Sequence, residues 1–318
     1  MYYPILRWKK GEQLAVSNLF EDDAKYMTPI WWLTEYEDVS KLTITLDAVW
    51  TSYSIVDLSR IDEVNKLLPL VDSLIDSNDI GAMISPEQLQ NIEPDFLANH
   101  ASSLSIRICI ADQSTGVDAN KHQTIITLLD DLSGSTGDEL LILFDYGAIS
   151  DFESSEVQNL ADCIELYLSA GYENLIFSSG AFPASLASIV GTEFIAREDK
   201  RLHAELTELL GHDLLYSDYG AFSPLWDPSA KGIPLANLRY ALDDEWMIIR
   251  DAKRGTDASC AVATILVMSE EFEEYGEDFS WADKRWQYKA DTSDKPGGPT
   301  QHIAEAHNHH LTHVVNKD

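Results

Sequence analysis

The chain has 318 residues, 45% of them hydrophobic, which is enough for a large core in one barrel-sized domain or in two smaller ones. Its 22 Lys and Arg stand against 54 Asp and Glu, a formal charge of −32, so direct binding of nucleic acid or an anionic membrane is disfavoured, and the charge either attracts a basic partner or simply keeps the protein soluble. Cys109, Cys163 and Cys260 are widely spaced without a CxxC pair, no apolar run reaches membrane-spanning length, and no basic-then-apolar leader opens the chain; buried thiols and a cytoplasmic protein are expected.

Strand and helix patterns then alternate eight times. Residues 2–8 read as a strand and 12–20 as a helix; 28–33 is a second strand, followed by a Thr-rich helix over 36–50. Strand three is 53–57, and 61–75 is an amphipathic helix with Val64, Leu67, Leu68, Val71, Leu74 and Ile75 on one face. Strands follow at 80–84 and 104–110, the first ending in Ser85-Pro86, a helix-start signal. Residues 120–132 are helical, 139–144 a strand, 156–170 a helix closed by Gly171, 174–177 a strand, 200–210 a helix closed by Gly211, and 214–217 the eighth strand. Short apolar strands alternating with helices predict a (β/α)8 TIM-type barrel over 1–224. A doubly wound sheet is the rival, but the first strand runs into Lys9-Lys10-Gly11-Glu12 rather than a glycine-rich phosphate turn, and the 133–137 segment lacks a Walker lysine.

Beyond the eighth strand Pro224, Pro228 and Pro234 mark a loop; 239–250 reads as extended, 258–272 as helical, and an acidic stretch over 270–278 follows. Residues 225–318 are too few for an independent core and are read as a C-terminal cap packed on the barrel within the same domain, with Arg250 expected to meet a carboxylate.

Tyr3-Pro4-Ile5-Leu6-Arg7-Trp8-Lys9, Ser179-Gly180-Ala181-Phe182-Pro183, Arg197-Glu198, Asp218-Tyr219-Gly220, Arg239-Tyr240, Trp246 with Arg250, Phe279-Ser280-Trp281-Ala282-Asp283 and Asn308-His309-His310 together resemble the "beta" family of phage and bacterial proteins, named after a T-even phage protein. The resemblance spans nearly the whole chain. It departs at Gln301-His302, where the family pattern has a Trp-Arg pair. It implies the fold and a mobile-element or phage-defence setting, and no reaction.

Three groups of residues could carry function. The first is the rim at the strand ends. Asp57, Asp112, Asp145 and Asp218 are candidate catalytic carboxylates or oxygen ligands for a divalent metal, beside Arg7 and Lys9. Asp-Tyr-Gly occurs there twice, at 145–147 and 218–220, which makes Tyr219 a further rim candidate. The second is the histidine-rich tail, His302, His307, His309, His310 and His313; an extended conformation would place His307, His309 and His313 on one face, and His307, His309 and His310 are the candidate metal ligands. The third is Arg197-Glu198, with Arg197 as an anion clamp and Arg239 and Arg250 as further binding candidates. No GxSxG elbow is present, no cysteine has a nucleophile's surroundings, and no cofactor motif is identifiable. Two functions remain open, and with them whether the chain is an enzyme: an acidic barrel scaffold binding a basic protein partner in a phage-defence module, or a metal-assisted barrel hydrolase acting on a phosphate-containing or glycosidic substrate.

Overall fold

A computed structural model of the chain describes residues 1–33, 39–61, 64–75, 79–136, 140–225, 235–294 and 297–317. Residues 36–38, Gly137, Pro228 and Pro234, which carry parts of the sequence reading, lie outside the described residues. The chain forms two compact units. The first comprises 1–7, 28–179 and 198–218; the second comprises 8–27, 180–197 and 219–318.

In the first unit, β1 (Ile5–Arg7), β2 (Ile30–Trp32), β3 (Ser54–Asp57), β4 (Ile80–Ile84), β5 (Leu104–Cys109), β6 (Leu141–Ala148), β7 (Leu175–Gly180) and β9 (Leu215–Ser217) form one sheet in that order. The strands are parallel, with Ile5 opposite Ile30 and Ile30 opposite Ile55. The ends of the sheet meet: Tyr2 bridges to Tyr216 in parallel, Tyr3 N–H donates to the Tyr216 carbonyl at 3.0 Å, and Ile5 N–H donates to the Asp218 carbonyl at 2.8 Å. This is the eight-stranded parallel α/β barrel that the alternation predicts. Its helices include α3 (Val39–Val49), α4 (Val64–Ile75), α5 (Pro86–Leu89), α6 (Pro94–His100), α7 (Ala119–Thr136), α8 (Ser154–Ser169) and α9 (Glu198–Leu210). The strands are apolar because both faces are covered: Ile5, Trp31, Ile55, Ala82, Ile106, Ile142 and Ile176 are each 0% exposed. Ser85 starts α5 as expected, in a reciprocal capping box with Gln88.

The second unit is built around one buried helix. It holds α1 (Lys10–Ser17) and α2 (Glu21–Ala24), a three-stranded sheet of β8 (Gly191–Ala196), β10 (Asn237–Ala241) and β11 (Glu245–Arg250), then α10 (Thr256–Val267), α11 (Glu270–Tyr275), α12 (Trp281–Thr292) and α13 (Pro299–Lys317). β11 is the centre of that sheet, antiparallel to both neighbours. Residues 239–250 form the predicted extended segment, as a hairpin pairing with β8 in a sheet of their own. Two readings are corrected here. The helix expected over 258–272 is broken at Met268-Ser269, because the Ser269 side chain caps a new helix by accepting from Phe272 N–H. The histidine tail is not extended: it is α13, buried along 304–314.

Candidate functional site

The barrel's carboxyl end is built on Arg107. It is the one charged residue in the Leu-Ser-Ile-Arg-Ile-Cys sequence of β5, and it is 2% exposed. Its guanidinium reaches past β4 to Asp57 at the end of β3, with which it forms a close ion pair, and it also holds Asp145 on β6 through Nη2 at 2.7 Å and Nε at 3.2 Å. The planar fork of arginine suits this double pairing, where a lysine would offer a point charge. Each carboxylate is used a second time by its own loop. Asp57 Oδ1 accepts from Ser59 N–H at 3.0 Å, and Asp145 Oδ1 accepts from Gly147 N–H at 2.9 Å. Gly147 has φ 81°, a conformation that favours glycine.

Asp218 is held differently. It is 2% exposed and accepts from Tyr2 Oη at 2.5 Å, with Tyr216 Oη 3.2 Å from its other oxygen. Tyr216 has a single phenolic proton, and the shorter bond, 2.8 Å, goes to Asp199. Asp112 joins neither group. It lies on a 3-10 turn with its side chain 61% exposed, paired to Lys121 at 3.1 Å, because β5 ends before it and the chain has already turned outward.

The remaining candidates fall as follows. Arg7 is 8% exposed at the end of β1, and Lys9 is half-buried just before α1. Glu198 is taken by Arg201. Tyr219 is buried, edge-on to Phe222 at 5.8 Å. Arg239 donates to the Ala221 carbonyl and lies over Phe182 at 4.8 Å. Arg250, expected to meet a carboxylate, instead donates to the carbonyls of Ala187 at 2.9 Å and Ile189 at 2.8 Å. A half-exposed arginine on a strand end finds loop carbonyls within reach and keeps partial hydration, so no carboxylate is required. Arg197 is 2% exposed with its guanidinium 5.7 Å from the Trp246 ring centroid, and Trp246 stacks on His310 at 4.8 Å.

The histidines are core. His307, His309, His310 and His313 are each 0% exposed. His309 Nδ1 faces Asp283 Oδ2 at 2.9 Å and its Nε2 faces the Ala241 carbonyl at 3.0 Å, while the ring stacks on Tyr240 with centroids 3.8 Å apart. Both nitrogens meet oxygen, so both are committed to hydrogen bonds and neither lone pair is open to a metal. His307 Nδ1 accepts from Ala221 N–H at 3.4 Å. Among the described residues no group of three His, Cys, Asp or Glu is arranged to hold a metal ion. The cysteine expectation is corrected in one case: Cys163 and Cys260 are buried, but Cys109 is exposed because β5 ends there. Desolvation still pushes the Cys109 thiol up, and it pushes Cys163 up to about 12.

Two concave sites escape the sequence reading. One, of 310 Å³, lies in the second unit against Trp286, Lys289 and Glu305. The other is an open groove of 740 Å³ lined by Val267, Met268, Phe272, Glu273, Glu277 and Asp291.

Fold and interior chemistry define a parallel α/β barrel protein with a second α/β unit of interleaved segments. The chain belongs to the Beta protein family, whose model matches residues 2–316. The two motifs that close the resemblance meet in space: Ala282 N–H donates to Asn308 Oδ1 at 3.1 Å, and Asp283 holds His309. No curated protein matches the sequence. Among solved structures, the arginine decarboxylase of Paramecium bursaria Chlorella virus is 11% identical, with a TM-score of 0.41 over 68% of this chain and 56% of that one. An amidohydrolase from Burkholderia multivorans is 12% identical, with a TM-score of 0.37 over 66% and 89%. The chain therefore spans little more than half the length of the decarboxylase, and likeness at this level bears on neither activity nor substrate.

Proposed function

We propose that this protein is an interaction scaffold that seats a basic, amphipathic protein segment on the open groove of its second unit. The carrying observation is the composition of that groove: Val267, Met268 and Phe272 form its apolar part, and Glu273, Glu277 and Asp291 its charge, with no basic side chain among its described lining residues. Met268 is 82% exposed, an apolar side chain standing in water beside carboxylates. A partner with basic residues around an apolar anchor would match both features, and the −32 charge would steer it in. The rim favours the same reading, because Asp57 and Asp145 are spent on Arg107 and their own loops, Asp218 accepts from Tyr2, and Asp112 pairs with Lys121. The family resemblance motivates a phage-defence or toxin-neutralising module in the cytoplasm as the setting; among the described residues no helix is long and apolar enough to cross a membrane.

The test uses a labelled amphipathic Lys/Leu helix peptide and its Glu/Leu counterpart. Binding of the basic peptide should be salt-sensitive, with association slowed on the order of tenfold or more between low and high salt. It should be lost when Glu273, Glu277 and Asp291 are changed together to Lys. Equal binding of the acidic peptide, or indifference to the triple reversal, overturns the reading.

A metal-assisted hydrolase is the second reading, and one observation favours it. A pocket of 190 Å³ opens where barrel chemistry usually sits, lined by Ser59, Ser85 and Cys109 from the strand ends with Arg60, Arg107 and Lys121. Phosphate-ester turnover in the presence of Mg²⁺ that falls at least a hundredfold in Asp145→Asn would establish it.

A further inference from the structure

We propose that the 310 Å³ cavity of the second unit is a binding site for a small organic anion, a carboxylate or phosphate carried on an apolar body. This rests on neither reading above.

The charge of the cavity inverts that of the molecule. Acidic residues outnumber basic ones 54 to 22 in the chain, yet the lining holds Arg239, Arg254 and Lys289 against a single carboxylate, Glu305. That carboxylate is already consumed. It is 0% exposed, it accepts from Lys289 Nζ, and Arg285 Nε donates to it at 2.8 Å. Its charge is thus answered before any ligand arrives, and the exposed Arg254 adds positive charge to the lining.

Lys289 supplies the second argument. It is 1% exposed, and among the described residues its ammonium donates only to Glu305. An ammonium carries three N–H donors, and Glu305 takes one of them at the edge of the cavity that Lys289 lines. Burial pulls the lysine's pKa down despite its partner, the signature of an ammonium short of compensation. An anion in the cavity would complete it.

The rest of the lining fits the body of such a ligand. Leu238, Val262, Trp286 and Ile303 give an apolar wall, and the volume is at the small end of ligand sites. The amino end of α10 also opens here: Gly255 and Thr256 line the cavity, and the Gly255 N-cap offers that helix no side-chain bond. Its N–H groups add to the preference for negative charge. The exposed Arg254 stands at the mouth.

The test is calorimetric titration of the full chain with four probes of one size: benzoate, phenyl phosphate, benzyl alcohol and benzylammonium. Benzoate or phenyl phosphate should bind with a Kd below about 1 mM. Benzyl alcohol should be at least tenfold weaker and benzylammonium undetected. The order of the two anions shows which group the site takes, and either order supports it. Arg254→Glu and Thr256→Trp change exposed positions, so the fold should survive; the first should raise the anion Kd about tenfold and the second should block the mouth. Glu273, Glu277 and Asp291 to Lys should leave anion binding intact, which separates this site from the groove. No anion binding at about 10 mM, benzyl alcohol as tight as benzoate, or a Kd unchanged in both mouth variants overturns the proposal.

Discussion

The two units bury charge in opposite senses. In the barrel one cation, Arg107, lies between two carboxylates, Asp57 and Asp145. In the second unit one carboxylate, Glu305, lies between two cations, Lys289 and Arg285. The difference is in what is left over. Both barrel aspartates also accept a backbone N–H from their own loops, so each of the four carboxylate oxygens in that network has a donor. Lys289 keeps donors in hand beside a cavity, so the other network is open. A buried charge cluster therefore marks a ligand site only when its donors and acceptors fail to balance internally.

The largest break in this comparison is Arg107→Met. It strands two buried carboxylates, and a loss of about 3–5 kcal/mol is expected in urea unfolding. Adding Asp57→Asn and Asp145→Asn to it should recover most of that loss, because the cost lies in the stranded charges. A single-variant cost below about 1 kcal/mol would show that the network does not hold the barrel end together.

In the second unit the matching change, Glu305→Gln, should cost less, about 1–3 kcal/mol, because the cations it releases include the partly exposed Arg285. Its signature is in pH. Burial pushes the Glu305 carboxyl up, but His302 and Lys289 outweigh burial and hold it below the ordinary 4.5. A depressed acid pKa means that the unfolded chain binds more protons in that window. The stabilisation is therefore complete above about pH 4.5 and is lost as pH falls through the folded value. Lys289 is also lowered, by burial, so stability should rise as pH climbs toward its ordinary 10.5. Unfolding midpoints across pH should show Glu305→Gln removing part of the acid limb and enlarging the alkaline one, because Lys289 loses the carboxylate that holds its pKa up against burial.

These contrasts show why the sequence is legible in one unit and opaque in the other. The barrel strands are short apolar runs bounded by turns, so Ile55, Ile106 and Ile176 announce themselves. β8 does not: Gly191 to Ala196 are almost all exposed, and the strand is defined by pairing with β11 alone. α13 shows no apolar stripe because it is buried on every side along 304–314, and its histidines and Asn308 count as polar until their partners are known. The rim aspartates could be read from strand ends, but their engagement by Arg107 spans 38 and 50 residues. An arginine alone in an apolar strand is the local hint of it. Glu305 and Lys289 come from different helices 16 residues apart, and no spacing rule joins them.

Tyr2→Phe probes a smaller effect within the barrel. It removes the 2.5 Å bond to buried Asp218 but leaves Tyr216 beside the other carboxylate oxygen. The expected loss is about 1–2 kcal/mol. Because Tyr2 also bridges to Tyr216 where β9 meets β1, amide exchange should quicken first at Tyr3 and Ile5, whose N–H groups close the barrel.

Asp112→Asn should have the smallest effect of all, and it separates position on the strand from role. Asp112 follows β5 as Asp218 follows β9, so sequence alone gives the two equal standing. Its side chain is 61% exposed and its partner Lys121 is 37% exposed, so both ends of the pair are solvated. Solvent screening limits such a pair to about 0–1 kcal/mol, falling further with added salt. Asp145→Asn should cost several times as much, because it breaks a pairing with a 2% exposed arginine. Urea midpoints for the two variants, measured at low and high salt, test the distinction. If Asp112→Asn matches Asp145→Asn, the outward turn after β5 does not isolate Asp112 from the network inside.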